Sequence, residues 1–121
     1  MGERVFFVNE PKGPVRSRYN EQLEPHGIDL VSCPDPNSVD EQNPVFLVRI
    51  GYASIDTDFE LLRAATKSGY TVAVVLGGEI AKWKAYWAGA DGIADSEFDL
   101  RQAAESLNRC LEWKKQGLQK P

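Results

Sequence analysis

Ala88-Gly89-Ala90-Asp91-Gly92-Ile93-Ala94-Asp95-Ser96-Glu97-Phe98 reads as the end of one helix, a short strand and the approach to another helix. Gly89 stops the first helix, and Gly92 to Asp95 form the strand. Ser96, with Asp99 three residues on, has the side chains to cap a last helix whose core face is Leu100, Ala103, Ala104, Leu107 and Leu111. The same alternation extends towards the amino terminus. Thr71 to Leu76 is a continuous apolar run closed by Gly77-Gly78, and a helix from Glu79 to Ala88 links it to the short strand. Thr57-Asp58-Phe59-Glu60 has the spacing of a capping box, opening a helix through Lys67 that Gly69 terminates.

Earlier still, Val5 to Val8, Ile28 to Cys33 and Pro44 to Ile50 are strands fit for burial on both faces. Pro14 suits the first turn of a helix whose Val15, Tyr19 and Leu23 form one stripe, and Pro25 and Gly27 end it. Residues 34–43 carry Pro34, Pro36 and Asn37 and support a loop or one short helical turn. Strand and helix therefore alternate, which implies a doubly wound, five-stranded parallel sheet of flavodoxin-like (βα)5 type with a shortened or missing second helix. Chemistry in such sheets belongs at the carboxyl ends of the strands.

The 121 residues suit one domain, with residues 1–115 as its body and 116–121 as a polar tail or the start of a linker. Hydrophobic content of 42% and charged content of 26% fit a globular chain. A net charge of −4 argues against a nucleic-acid surface. The apolar run near the amino terminus is too short for a signal peptide or a membrane span, and a cytoplasmic location is expected. Cys33 and Cys110 lack metal spacing and read as reduced structural thiols. No metal and no cofactor is expected from the motifs.

The run from Ala88 to Phe98 resembles the last third of a response-regulator receiver domain, where an A-G-A-D-G-[YF]-[LI]-x-K-P-F-like pattern carries an essential lysine. The resemblance spans roughly residues 4 to 112. Such domains accept a phosphoryl group on an aspartate ending the third strand. They use a magnesium ion held by an acidic pair after the first strand, a Ser or Thr after the fourth, and the lysine after the fifth. Carried across by strand ends, the acidic pair becomes Asn9 and Glu10, the acceptor Arg49, the hydroxyl residue Gly77 and the lysine Ser96. Glu97 replaces the proline, and an aromatic switch residue becomes Ile93. Glu10 alone keeps its type. A guanidinium at position 49 cannot accept a phosphoryl group and repels a divalent cation. The resemblance therefore implies a degenerate, or pseudo-, receiver in which Arg49 fills the cation's place and pairs with Glu10 or Asp95. Asp56 and Asp58 read as helix caps.

Trp83, Tyr86 and Trp87 crowd one short helix. Trp83 and Tyr86 are expected in the core, while Trp87 should point outward as an interface anchor, because Ala81, Ala85 and Ala88 approach the sheet. Trp113 lies off the main stripe of the last helix and packs on the tail or meets a partner. His26, beside Gly27 at a helix end, complements the helix dipole, and Gly77-Gly78 reads as a tight strand-to-helix turn.

The function expected is a regulatory protein–protein interaction module of a bacterial-type two-component system, working without phosphorylation and without enzymatic activity. It would be the amino-terminal part of a transcriptional or signalling regulator, or a module acting alone. Its partner is another protein or a second copy, met through the face made by the family's fourth and fifth helices, with no nucleic acid and no membrane. The alternative is a sensor of a small anionic ligand, using Asn9, Arg49, Gly77 and Gly78. A misaligned phospho-acceptor site or a flavodoxin-like enzyme is the remaining reading.

Overall fold

Runs of branched and aromatic residues form the strands of the computed structural model, which describes residues 2–53 and 56–118. In chain order the elements are β1 (Glu3–Val8), α1 (Pro14–Leu23), β2 (Ile28–Cys33), β3 (Val45–Ile50), α2 (Asp56–Ser68), β4 (Tyr70–Val75), α3 (Glu79–Trp87), β5 (Gly92–Ala94) and α4 (Arg101–Lys115). The five strands form one sheet in the order β2-β1-β3-β4-β5, with every pairing parallel. The chain moves outward from β1 to β2 and then returns to β3. The crevice of the sheet thus opens where β1 and β3 end side by side.

Alternate strand residues feed two cores. Val5, Phe7, Val45, Leu47, Val72 and Val74 meet Tyr19 and Leu23 of α1 and Ala103, Ala104 and Leu107 of α4. Val8, Phe46, Val48, Ile50, Ala73 and Val75 meet Phe59, Leu62 and Ala65 of α2 and Ala81 and Ala85 of α3. Each fully buried Val, Leu, Ile or Phe contributes roughly 1.5–3 kcal/mol. Cys33 lies in the second core and Cys110 in the first, so the sheet separates them.

Between β2 and β3 only a 3-10 turn forms, at Pro36–Ser38, with Asp35 accepting the Asn37 N–H at 3.0 Å. The prolines and the lack of an apolar stripe leave nothing from which to build a helix there. Among the described residues, no helix is long and apolar enough to cross a membrane.

Four local expectations change. Helix α2 begins at Asp56, so Thr57 lies inside it; the residues just before it, 54 and 55, lie outside the described ones. Helix α4 begins at Arg101. Ser96 instead caps a turn, its Oγ accepting from the N–H groups of Phe98 (3.1 Å) and Asp99 (3.3 Å), and Asp99 accepts the Arg101 N–H at 3.1 Å. Glu97 is drawn inward within that turn, which uses up the residues expected to form the first helical turn.

Gly69 does follow α2, but not for its left-handed freedom, since its φ is not positive. A Cβ there would lie 2.0 Å from the Pro44 carbonyl oxygen, so close approach to the start of β3 demands glycine. Finally, Trp83 and Tyr86 are exposed, contrary to the core placement expected for them. Ala81 and Ala85 occupy the line of α3 facing the sheet, and their small side chains let the helix sit so close that the neighbouring rings stay outside.

Candidate functional site

Asn9 immediately follows β1, Arg49 is the penultimate residue of β3, Gly77 follows β4, and Ser96 follows β5. Parallel pairing brings these positions to one edge of the sheet, as the sequence implied. Around this edge the side chains make three sets of contacts.

Arg49 has the strand parity of Val45 and Leu47 and therefore projects to the α1/α4 side. There its Nε donates to Glu97 Oε1 at 2.8 Å and a terminal nitrogen donates to Oε2 at 3.0 Å, a two-pronged contact. Tyr19 donates its hydroxyl to the same Oε1 at 2.6 Å. Glu97 is only 4% exposed. Burial alone would raise its carboxyl, but the hydrogen bonds from Arg49 and Tyr19 outweigh that and hold it below the ordinary value. The bond to Glu97 holds the Arg49 guanidinium firmly charged. Burial, reinforced by the adjoining carboxylate, pushes the Tyr19 phenol well up.

The expected partners of Arg49 are occupied elsewhere. Glu10 accepts from Arg16 Nε and from the Ser32 hydroxyl, at 2.5 and 2.7 Å. Burial raises the Glu10 carboxyl, but those two donors hold it lowered overall. Asp95 reaches Lys82 at 3.4 Å. Glu97 was visible only as the replacement of a proline, and Tyr19 only as one residue of an apolar stripe. The signal pointing to their role was the pair of opposite charges newly placed at two positions of one site, Arg49 and Glu97.

The second group joins β1, β3 and α2. Asn9, at a left-handed φ of 60°, donates its amide to the Arg49 carbonyl at 2.7 Å and to Asp58 Oδ1 at 3.1 Å. Asp58 Oδ2 accepts the Gly51 N–H at 3.0 Å. Asp58 is thus a buried tie between strand ends and not the helix cap expected of it, while Asp56 lies exposed in the first turn of α2.

The third group fastens the segment after β5 to α1. Gln22 donates its amide to the Glu97 carbonyl at 3.2 Å and accepts the Leu100 N–H at 2.8 Å. The Arg18 guanidinium lies 4.8 Å from the centre of the Phe98 ring. Together with Tyr19, one face of α1 holds residues 97–100. No local pattern announces contacts 75 and 78 residues apart.

Gly77 and Gly78 form the strand-to-helix turn, Gly78 with a φ of 88°. Trp87 is 79% exposed. Trp113 is half-buried with its ring 5.6 Å from that of Tyr70, and its carbonyl accepts the Leu118 N–H.

The donor set does not suit a magnesium ion. Both Asp58 oxygens and both Glu10 oxygens already accept hydrogen bonds, and the Arg49 cation stands at the end of β3. Among the described residues, no group of three or more His, Cys, Asp or Glu side chains is placed to hold a metal.

No protein-family model matches this chain, and no curated protein matches it in sequence. Solved structures do match its fold. A response regulator from Thermotoga maritima superposes with a TM-score of 0.70 over 93% of this chain and 99% of its own, at 12% identity. A response regulator receiver domain protein from Clostridium thermocellum gives 0.65 over 95% and 98%, at 14% identity. The beryllofluoride-activated NtrC receiver domain gives 0.58 over 93% and 96%, at 18% identity. The chain therefore has the flavodoxin-like fold that receiver domains share.

Proposed function

We propose that this chain is a pseudo-receiver: a phosphorylation-independent regulatory module of two-component signalling that works by docking a protein partner through the face of α3 and α4. The observation that carries this reading is Arg49. At the strand end where receivers keep their phospho-acceptor stands a cation, tied to Glu97 and Tyr19 in a nearly dry setting. The charge that would otherwise come and go with phosphorylation is replaced by a permanent one, so one arrangement of the strand ends is maintained. The exposed rings of α3 supply the contact surface.

The anionic-ligand reading finds less support. An incoming anion would compete with Glu97 for Arg49, and the Asn9 amide is committed to Arg49 and Asp58. The test is intact mass after acetyl phosphate treatment, together with amide NMR during addition of Mg²⁺ and then beryllofluoride. No mass gain and no saturable shifts are expected. A phosphate on Asp56, Asp58 or Asp95 would overturn the reading.

A further inference from the structure

Between β2 and β3 the chain forms only a 3-10 turn, so the helix layer on that side of the sheet is one helix short. Helix α2 rests on β3 and β4, and α3 on β4 and β5, while α1 covers β2 from the opposite face. Strands β1 and β2 pair in register, which sets Arg4 beside Asp29, Phe6 beside Val31 and Val8 beside Cys33 on the side that lacks a helix. Val8 and Cys33 are buried, Phe6 and Val31 only partly so, and Arg4 and Asp29 are exposed. The chain returning to β3 flanks this strip and leaves a groove of about 300 Å³ lined by Arg4, Phe6, Cys33, Val39, Asp40 and Glu41. All-parallel sheets occur almost only with both faces covered. The strip over β1 and β2 is therefore a place where a covering element is missing.

We propose that this strip docks a helix of a partner protein, one with a narrow apolar stripe bordered by lysine and arginine, which takes the place of the absent helix. Size agrees. Two neighbouring strands with their flanks match the roughly 10 Å width of one helix. A strand of 6 residues is about 20 Å long, which about 13 helical residues span. Charge selects the partner. Asp29 stands at one end of the strip, and Asp35, Asp40 and Glu41 follow one another along the returning chain. Glu41 pairs with Arg4 and Lys114, but among the described residues Asp29, Asp35 and Asp40 are in no ion pair. The groove already holds one contact of the kind such a helix would make. Arg4 lies over the Phe6 ring, 5.5 Å from its centre, while its guanidinium pairs with Glu41. Basic side chains of a partner would repeat that arrangement, with stems on the apolar floor and cations towards the acidic wall. A helix bordered by acids would meet like charge. This inference rests on the missing helix alone, and depends neither on position 49 nor on the rings of α3.

The test is amide NMR of the whole chain during addition of an amphipathic Leu/Lys peptide of about 14 residues, with the same peptide carrying Glu in place of Lys as its control. Saturable shifts are expected in β1, β2 and residues 38–41 with the Leu/Lys peptide, and none with the Leu/Glu peptide. Val31→Lys, at a partly exposed position of the edge strand, should weaken binding about tenfold or more, with circular dichroism unchanged. Asp40→Lys, on the exposed returning chain, should weaken it as well, and Asp29→Lys with Asp40→Lys should admit the Leu/Glu peptide. The inference is overturned by an absence of saturable shifts, by shifts centred on α3 or α4, by equal binding of both peptides, or by binding indifferent to Val31→Lys. Concentration-dependent shifts in β2 without peptide would give the strip to a second copy of the chain and overturn it too.

Discussion

Breaking the Arg49–Glu97 contact from either side leaves a charge where little water reaches it. Arg49→Ala should cost about 3–5 kcal/mol, because it strands the Glu97 carboxylate; urea denaturation measures it. The double variant Arg49→Met, Glu97→Gln removes both charges and keeps an acceptor for Tyr19. It should recover most of that loss. An Arg49→Ala protein as stable as the wild type would refute the tie.

The same carboxylate sets a pH dependence. Its folded value lies below the ordinary one, so its contribution is complete above the unfolded value of about 4.3 and fades as the pH falls through the lower folded value. The stability gap between wild type and Glu97→Gln should therefore be widest near neutrality and close in acid. A gap of constant size from pH 7 to strong acid would mean that Glu97 is not ionised in the folded protein.

Among the elements, the seam between β5 and α4 is tightest at Gly92. A Cβ there would lie 2.7 Å from the Cβ of Ser106. Gly92→Ala should cost about 1–3 kcal/mol by overpacking, and adding Ser106→Gly should relieve part of it, as a double-mutant cycle would show. Helix boundaries illustrate what local patterns can convey. The strand Ile28–Cys33 and the helix Pro14–Leu23 follow directly from apolar runs bounded by proline and glycine. The start of α4 does not, because Glu97 turns inward to bond Tyr19 of α1 and Arg49 of β3. The exposed rings of α3 mislead for a related reason. An aromatic residue signals burial in general, but two alanines, Ala81 and Ala85, decide which side of this helix meets the sheet.

Across the whole molecule, burial is uneven. Every residue of β4 and nearly all of β3 are buried, whereas β2 is an edge strand with no full helix on the connection that follows it. Amide exchange should accordingly be slowest in β3 and β4, governed by global unfolding, and faster in β2 through local opening. Equal protection of β2 and β4 would contradict this. Tyr70 donates its hydroxyl to the Leu118 carbonyl and so fastens the tail to the end of the sheet.

The alternation of apolar runs with amphipathic stripes by itself determined the class of fold, the parallel sheet, the missing second helix and the edge on which the site lies. These follow from periodicity and from proline and glycine, which act within a few residues. Only the tertiary structure decided that Arg49 answers to Glu97 and Tyr19, that Asp58 ties strand ends together, and that Gln22 holds the start of α4. Each of those contacts joins residues brought close by the sheet's strand order and by which face a side chain takes. No local pattern carries that information.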